Sequence, residues 1–249
     1  MVYQGSKNKL AKYIVPIIQS YIDNNNVQVY IELFGGGANI IDKIKCNKKI
    51  YIDINEDLVA LLKYAKENPN LEIAPENCSF EHYSEVRADK EHKIYSQEYR
   101  ALIGYMASYG GRYFDGGYGR DAKGTRNIYK ERLNNFKEQT PNLKDIDFYC
   151  KSYINVDISK INGCVFYLDP PYKGTKQYEK QSIDYDYFYD FCRRLSKNNI
   201  VLISEYNMPQ DFTCIWEKER TVLQKSNRVN GDKATEKLFV YSKEKLNYV

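Results

Sequence analysis

The order in which short apolar runs, glycines and acids follow one another constrains this fold most. Gln28-Val29-Tyr30-Ile31-Glu32-Leu33 has the composition of a strand and runs directly into Phe34-Gly35-Gly36-Gly37-Ala38-Asn39. A short helix is expected from Ile40. Lys49-Ile50-Tyr51-Ile52 reads as a second strand ending at Asp53, after which Leu58, Leu61, Leu62 and Ala65 fall on one helical face. Strand, tight turn, helix, strand, acid, helix is the first half of a doubly wound α/β sheet.

The rest of the chain divides by composition. Leu10, Ile14, Ile17, Ile18 and Tyr21 have helical spacing ahead of the first strand. From about Pro75 to Cys150 polar residues dominate, and one helix stands out through Leu102, Tyr105, Met106 and Tyr109. Strands resume at Cys164–Leu168, Ile200–Ser204 and Lys237–Tyr241, with a helix around Phe188, Phe191, Cys192 and Leu195. The expected fold is α/β: a doubly wound, Rossmann-like sheet from residues 1–75 and 150–249, with 76–149 inserted as a mainly helical lobe.

At 249 residues the chain can bury one substantial core, or a core with a smaller lobe. Its 37 basic and 33 acidic residues leave a net charge of +4, which permits a nucleic-acid partner without demanding one. No segment approaches the ~18 uninterrupted apolar residues of a membrane span. Met1–Lys7 lacks the apolar core of a signal peptide, so a cytoplasmic location is expected. The six cysteines form no C-x-x-C pair, and His82 and His92 are the only histidines; no metal site or disulfide is expected.

Two motifs carry chemistry. Glycines after a first strand let a ligand approach the backbone closely, and Asp53, at the end of the second strand, has the spacing of an acid that meets ribose hydroxyls. Together they suggest an adenosine-containing cofactor. The plain alternative for Asp53 is a helix cap beside Asn55. The second motif is Asp169-Pro170-Pro171-Tyr172, which closes the apolar run Val165–Leu168. Two prolines fix their own φ and donate no hydrogen bond, so this corner is stiff and rich in acceptors. The Asp169 carboxylate and Pro170 carbonyl suit the hydrogens of an exocyclic amine, and Tyr172 suits the face of a planar base.

Tyr3-Gln4-Gly5-Ser6-Lys7, Glu32–Gly37, Asp53-Ile54-Asn55 and Asp169–Tyr172 together, in that order, resemble the Dam-type DNA adenine-N6 methyltransferases. Leu202-Ile203-Ser204 and Glu236-Lys237-Leu238-Phe239 are similar to that family as well. The resemblance covers nearly the whole chain and is weakest between residues 65 and 150. It implies a methyltransferase sheet that uses S-adenosyl-L-methionine, bordered by Tyr3 and Lys7, with Lys7 near the cofactor's carboxylate. Phe34 and Gly35 would wrap the methionine part, and Asp53 would hold the ribose. Asp169 would lie between cofactor and target amine, and Tyr172 would stack on a flipped adenine. For the contact to the cofactor's adenine edge, Asn155 and Asp157 both remain candidates.

The resemblance makes the inserted lobe the target-recognition region for double-stranded DNA. Expelling a base costs a few kcal/mol of stacking and pairing, so cations and aromatics are needed close by. Arg112, Tyr113, Arg120, Lys123 and Arg126 supply them, and arginine can read guanine bidentately. Ser226 to Lys233 is a second loop that suits phosphate. A monomer is expected, with a cognate restriction endonuclease as one conceivable partner. The chain lacks a Pro-Cys nucleophile, as direct transfer to an amine requires none. Rival readings are methylation of RNA or of a protein amide, and a catalytically silent DNA-binding relative.

Overall fold

The computed structural model describes residues 1–173, 183–221 and 233–242. Seven strands form one sheet: β1 (Val29–Leu33), β2 (Lys48–Asp53), β3 (Ile146–Cys150), β4 (Val165–Leu168), β5 (Ile200–Glu205), β6 (Phe212–Thr221) and β7 (Lys233–Tyr241). Their order is β3-β2-β1-β4-β5-β7-β6. The first five are parallel, and β7 and β6 close the edge antiparallel. From β1 the chain winds outward through β2 and β3; from β4 it winds the other way. The winding therefore reverses between β1 and β4, and their pairing ends at Leu33 opposite Leu168. Ligands of open α/β sheets bind outside the carboxyl ends of the strands at such a reversal.

Both faces of the sheet are covered, which is why its central strands read as continuous apolar runs. Tyr30, Tyr51, Val165, Tyr167 and Leu202 point into one core. Ile31, Leu33, Phe166, Leu168 and Ile203, one residue out of step, point into the other. The first face carries α1 (Ala11–Asn24), α2 (Glu56–Glu67), α3 (Phe80–Ala88), α4 (Gln97–Ala107) and α5 (Ile128–Gln139); the second carries α6 (Tyr185–Leu195).

Three sequence-based expectations change. The helix expected from Ile40 is a single 3-10 turn, Ile41–Lys43, because the chain returns to β2 by Lys48. Ile146–Cys150, assigned almost wholly to the inserted lobe, is strand β3 on the sheet edge. The helices of 76–149 have no core of their own. Tyr83, Val86, Leu102, Ile103, Leu133 and Phe136 belong to the same buried cluster as Tyr30 and Tyr51 of the sheet. That segment is a helical layer on the sheet rather than a detached body. The loop from Ser226 falls mostly outside the described residues.

Candidate functional site

The β1–β4 junction opens into a cavity of about 330 Å³ lined by Tyr3, Lys7, Glu32, Phe34, Asp53 and Asp169, together with Gly35, Pro170, Pro171 and Tyr172. The glycine bend and the acidic corner thus face each other across one crevice. Tyr3, Lys7, Phe34, Gly35, Asp53 and the Asp169–Tyr172 corner all line it; Asn155 and Asp157, the candidates for the cofactor's adenine edge, do not. A second cavity, of about 590 Å³, shares Phe34, Asp53, Ile54 and Pro171 with the first and extends toward Tyr153, Asn155 and Tyr187.

The bend is tightly built. Gly36 has a φ of +49°, and its amide donates to Asp53 Oδ2 at 2.9 Å. Phe34, a non-glycine residue, is held at a φ of +59°. A Cβ on Gly35 would lie 2.2 Å from the Tyr51 ring, which is wholly buried and donates its hydroxyl to the Gly36 carbonyl at 2.7 Å. From the far side, Gln139 donates to the carbonyls of Gly37 and Ala38 at 3.1 and 3.0 Å. Asn39 donates to Ser6 Oγ at 2.9 Å and so ties the bend to the N-terminal block.

Asp53 is not the cap of α2. Asn55 fills that place, accepting from the Leu58 amide at 3.0 Å, while Asp53 Oδ1 accepts from the Asn55 amide at 2.9 Å. Asp53 thereby joins the end of β2 to the glycine bend. Burial pushes its carboxyl above the usual range, and backbone donors at Asn55, Gly36 and Ile54 oppose the shift.

At the acidic corner, Lys7 Nζ lies 2.7 Å from Asp169 Oδ1 and 3.8 Å from Glu236 Oε2. The resemblance implies a place for Lys7 beside the cofactor's carboxylate. The structure sets its ammonium on Asp169, as a cation only 7% exposed requires a counter-charge. Burial raises the Asp169 carboxyl, the Lys7 charge pulls it down, and Glu236 adds to the rise. The Tyr172 hydroxyl donates to Glu236 Oε2 at 2.7 Å, and Tyr206 meets the Tyr172 ring edge-on at 4.5 Å between centroids. Sequence reasoning noted Glu236 only as part of a familiar block.

Glu205 also escaped notice. It is buried at the end of β5 and accepts from the amides of Lys173 and Tyr206 at 3.2 and 2.7 Å. Burial pushes its carboxyl up to about 7. Lys173 is the residue after Tyr172, so this carboxylate fastens the downstream side of the corner to the sheet.

The five residues nominated for DNA lie apart from the crevice and in different settings. Tyr113 turns inward: its hydroxyl donates to Asp57 and accepts from Arg100, and its ring packs 4.9 Å from Tyr105 and from Phe114. Arg112 is half-buried beside Gly110 and Gly116. Arg120 is exposed, with its guanidinium 4.9 Å over Phe80 and 5.6 Å over Tyr118. Lys123 is exposed, and Arg126 is exposed and paired with Glu131, Nε to Oε1 at 2.8 Å. Backbone bonds pin this segment to the end of α4: Tyr109 N to Gly117 O and Gly119 N to Ala107 O, each 2.7 Å.

The family of D12 class N6 adenine-specific DNA methyltransferases matches residues 3–226. The chain belongs to that family. Among curated relatives, the type II methyltransferase M.FokI of Planomicrobium okeanokoites is 28% identical over 187 residues, 68% of this chain and 28% of that protein. The modification methylase StsI of Streptococcus sanguinis is 24% identical over the same shares. The type II methyltransferase M.MjaIII of Methanocaldococcus jannaschii is 25% identical over 95% of both chains. The chain thus spans 28% of the length of the first two relatives and nearly all of the third. Within the family, the crevice at the β1–β4 reversal is the candidate active site.

Proposed function

We propose that this chain transfers a methyl group from S-adenosyl-L-methionine to the N6 amine of adenine in double-stranded DNA. The observation that carries the reading is the pairing of Leu33 with Leu168, which sets a glycine bend and the Asp169–Tyr172 corner on adjacent strand ends over one cavity. Membership of the adenine-specific family supports the same substrate.

The residues fit the donor. Three acids, Glu32, Asp53 and Asp169, line the cavity together with the ammonium of Lys7. When bound, the donor supplies a methyl group made electrophilic by its sulfonium. Phe34 and Gly35 would enclose the amino-acid part, and Asp53 the ribose. Asn155 lines the neighbouring cavity, whereas Asp157 is engaged with its own Ser159 at 2.6 Å, which favours Asn155 as the contact to the donor's base. On the acceptor side, an exocyclic amine is a weak nucleophile because its lone pair is delocalised into the ring. The Asp169 carboxylate and Pro170 carbonyl, accepting its two hydrogens, return that lone pair toward nitrogen. Preformed acceptors of this kind typically contribute a few kcal/mol in the transition state. Tyr172 offers its ring to the base.

Arg112, Arg120, Lys123 and Arg126 are the proposed DNA contacts. Tyr113, through Asp57 and Arg100, supports the segment that carries them. Among the described residues no helix is long and apolar enough to cross a membrane, and we take the enzyme to act in the cytoplasm as a monomer. The names of the relatives, type II methyltransferases and a modification methylase, support a restriction endonuclease as its partner. The test is transfer of labelled methyl to duplex DNA, with base analysis of the product and Asp169→Ala as control. Label in N6-methyladenine is the expected result. DNA binding without transfer by the wild-type chain means a silent relative, and transfer to RNA or protein alone means a different substrate class.

A further inference from the structure

Glu236 lies on β7 and is 1% exposed, and its surroundings are the acidic corner itself. Oε2 accepts from the Tyr172 hydroxyl at 2.7 Å and lies 3.8 Å from Lys7 Nζ. That ammonium sits 2.7 Å from Asp169 Oδ1 and 4.5 Å from the Tyr172 ring centroid. One buried carboxylate therefore meets both arms of the corner, the ring directly and the acid through a shared lysine.

We propose that Glu236 is a positioning residue for methyl transfer, holding the Tyr172 ring by its hydroxyl and sharing Lys7 with Asp169. The inference rests on the proposed function and extends it to a residue outside the corner. A tyrosine ring turns about two torsions; Tyr206 meets the Tyr172 ring edge-on, and the bond from the Tyr172 hydroxyl to Glu236 fixes the far end. Lys7, drawn by two carboxylates, cannot move far toward one without leaving the other. A reacting group displaced by about 1 Å can lose on the order of 10²-fold in rate, so the effect of Glu236 falls on the chemical step.

The test uses the full chain with Glu236→Ala, Glu236→Gln, Tyr172→Phe and the Glu236→Ala/Tyr172→Phe double variant. Steady-state transfer to an adenine-containing duplex is measured over a range of donor concentrations, with thermal unfolding as a check on folding. The expected result is a kcat lowered roughly 10- to 100-fold in Glu236→Ala with a nearly unchanged KM for the donor. Glu236→Gln, which keeps an acceptor for the hydroxyl, regains most of the rate. The double variant is no slower than the slower single one, since both remove the same tether. A folded Glu236→Ala with wild-type kcat overturns the role, as do losses that multiply in the double variant. If Glu236→Ala does not fold, Tyr172→Phe decides: wild-type kcat there overturns the tether, and a loss that Glu236→Gln does not deepen supports it. A wild-type chain that transfers nothing to DNA adenine sinks the proposed function and this role with it; wild-type transfer with an unaffected variant sinks the role alone.

Discussion

The crevice at the β1–β4 reversal and the segment from Tyr109 to Arg126 hold their functional groups in opposite ways. In the crevice, Lys7, Asp53 and Glu236 are buried and each is held by a partner on a different element, while buried Glu32 accepts from Tyr30 of its own strand. In the segment, the backbone is pinned and Lys123 extends into solvent, while exposed Arg120 rests on Phe80 and Tyr118 and exposed Arg126 pairs with Glu131. Chemistry on one amine needs acceptors that do not move. Contact with a long polyanion needs cations whose tips can adjust. On the proposed function, burial would serve the first need and exposed side chains on a braced loop the second.

The contrast predicts that changes in the crevice act on rate or stability and changes in the segment act on binding. The largest effect is expected from Asp169→Ala, a loss of roughly 10³-fold in single-turnover transfer with DNA affinity retained. Filter binding beside a transfer assay checks both halves. Equal losses in binding and rate would mean that the corner is a DNA contact first, and would break the comparison.

Glu205 gives a pH test of the buried side. Its carboxyl titrates near 7 in the folded chain against an ordinary 4.5, so the folded state binds the proton more tightly. Its stabilising contribution is full below pH 4.5 and is lost as pH rises through about 7. The linked change is about 3 kcal/mol at most. Urea unfolding of wild type and Glu205→Gln between pH 5 and about 8 should show the wild type losing stability relative to the variant. Parallel curves would show that Glu205 is solvated and not the strut of the corner.

Gly35→Ala probes packing rather than charge. The added methyl meets the Tyr51 ring at 2.2 Å, and that ring is held by its hydroxyl bond to Gly36. Overpacking of this kind costs about 1–3 kcal/mol. A lowered urea midpoint with an unchanged slope is expected, together with weaker donor binding. An unaffected midpoint would mean that the bend yields easily.

How far the sequence could be read follows the same division. The central strands were legible as continuous apolar runs, and α2, α4 and α6 because apolar residues recur on them at the helical period. Edge strand β3 was not: Ile146 and Phe148 face inward, but Lys144, Asp145 and Asp147 around them give the stretch the look of a loop. Strand β6 fails similarly, with Glu217, Lys218 and Glu219 in a run that pairs on one side only. Helix α5 buries Tyr129, Leu133, Phe136 and Gln139 amid polar residues, so its stripe is thin. Within the site, glycines and the Asp-Pro-Pro-Tyr corner announce themselves by residue type. Glu236 and Glu205 do not, because what makes them special is a partner more than thirty residues away. Tyr113 has the right composition for a DNA contact and the wrong direction, which only the Asp57–Arg100 pair reveals.

The segment itself sorts into two classes. Arg120 rests over Phe80 and Tyr118; if it reads a base edge, as proposed, Arg120→Ala should relax the methylated sequence by about 1–3 kcal/mol of discrimination. Sequencing modified adenines in cells expressing the variant measures that preference. An unchanged preference with uniformly weaker binding would move Arg120 into the same class as Lys123.

Lys123 should give the smallest effect. It is exposed beside Gly124, whose φ of +66° marks the turn between Asp121 and Thr125. A flexible ammonium on a turn suits a phosphate, which carries no sequence information. Each phosphate contact releases condensed counterions, so Lys123→Ala should reduce the slope of log K against log salt by about 1 and leave the preferred site alone. Titrations at several salt concentrations on cognate and scrambled duplexes measure both quantities. An unchanged slope would place Lys123 off the DNA. An altered preference would show that the braced loop, and not only Arg120, takes part in reading the bases.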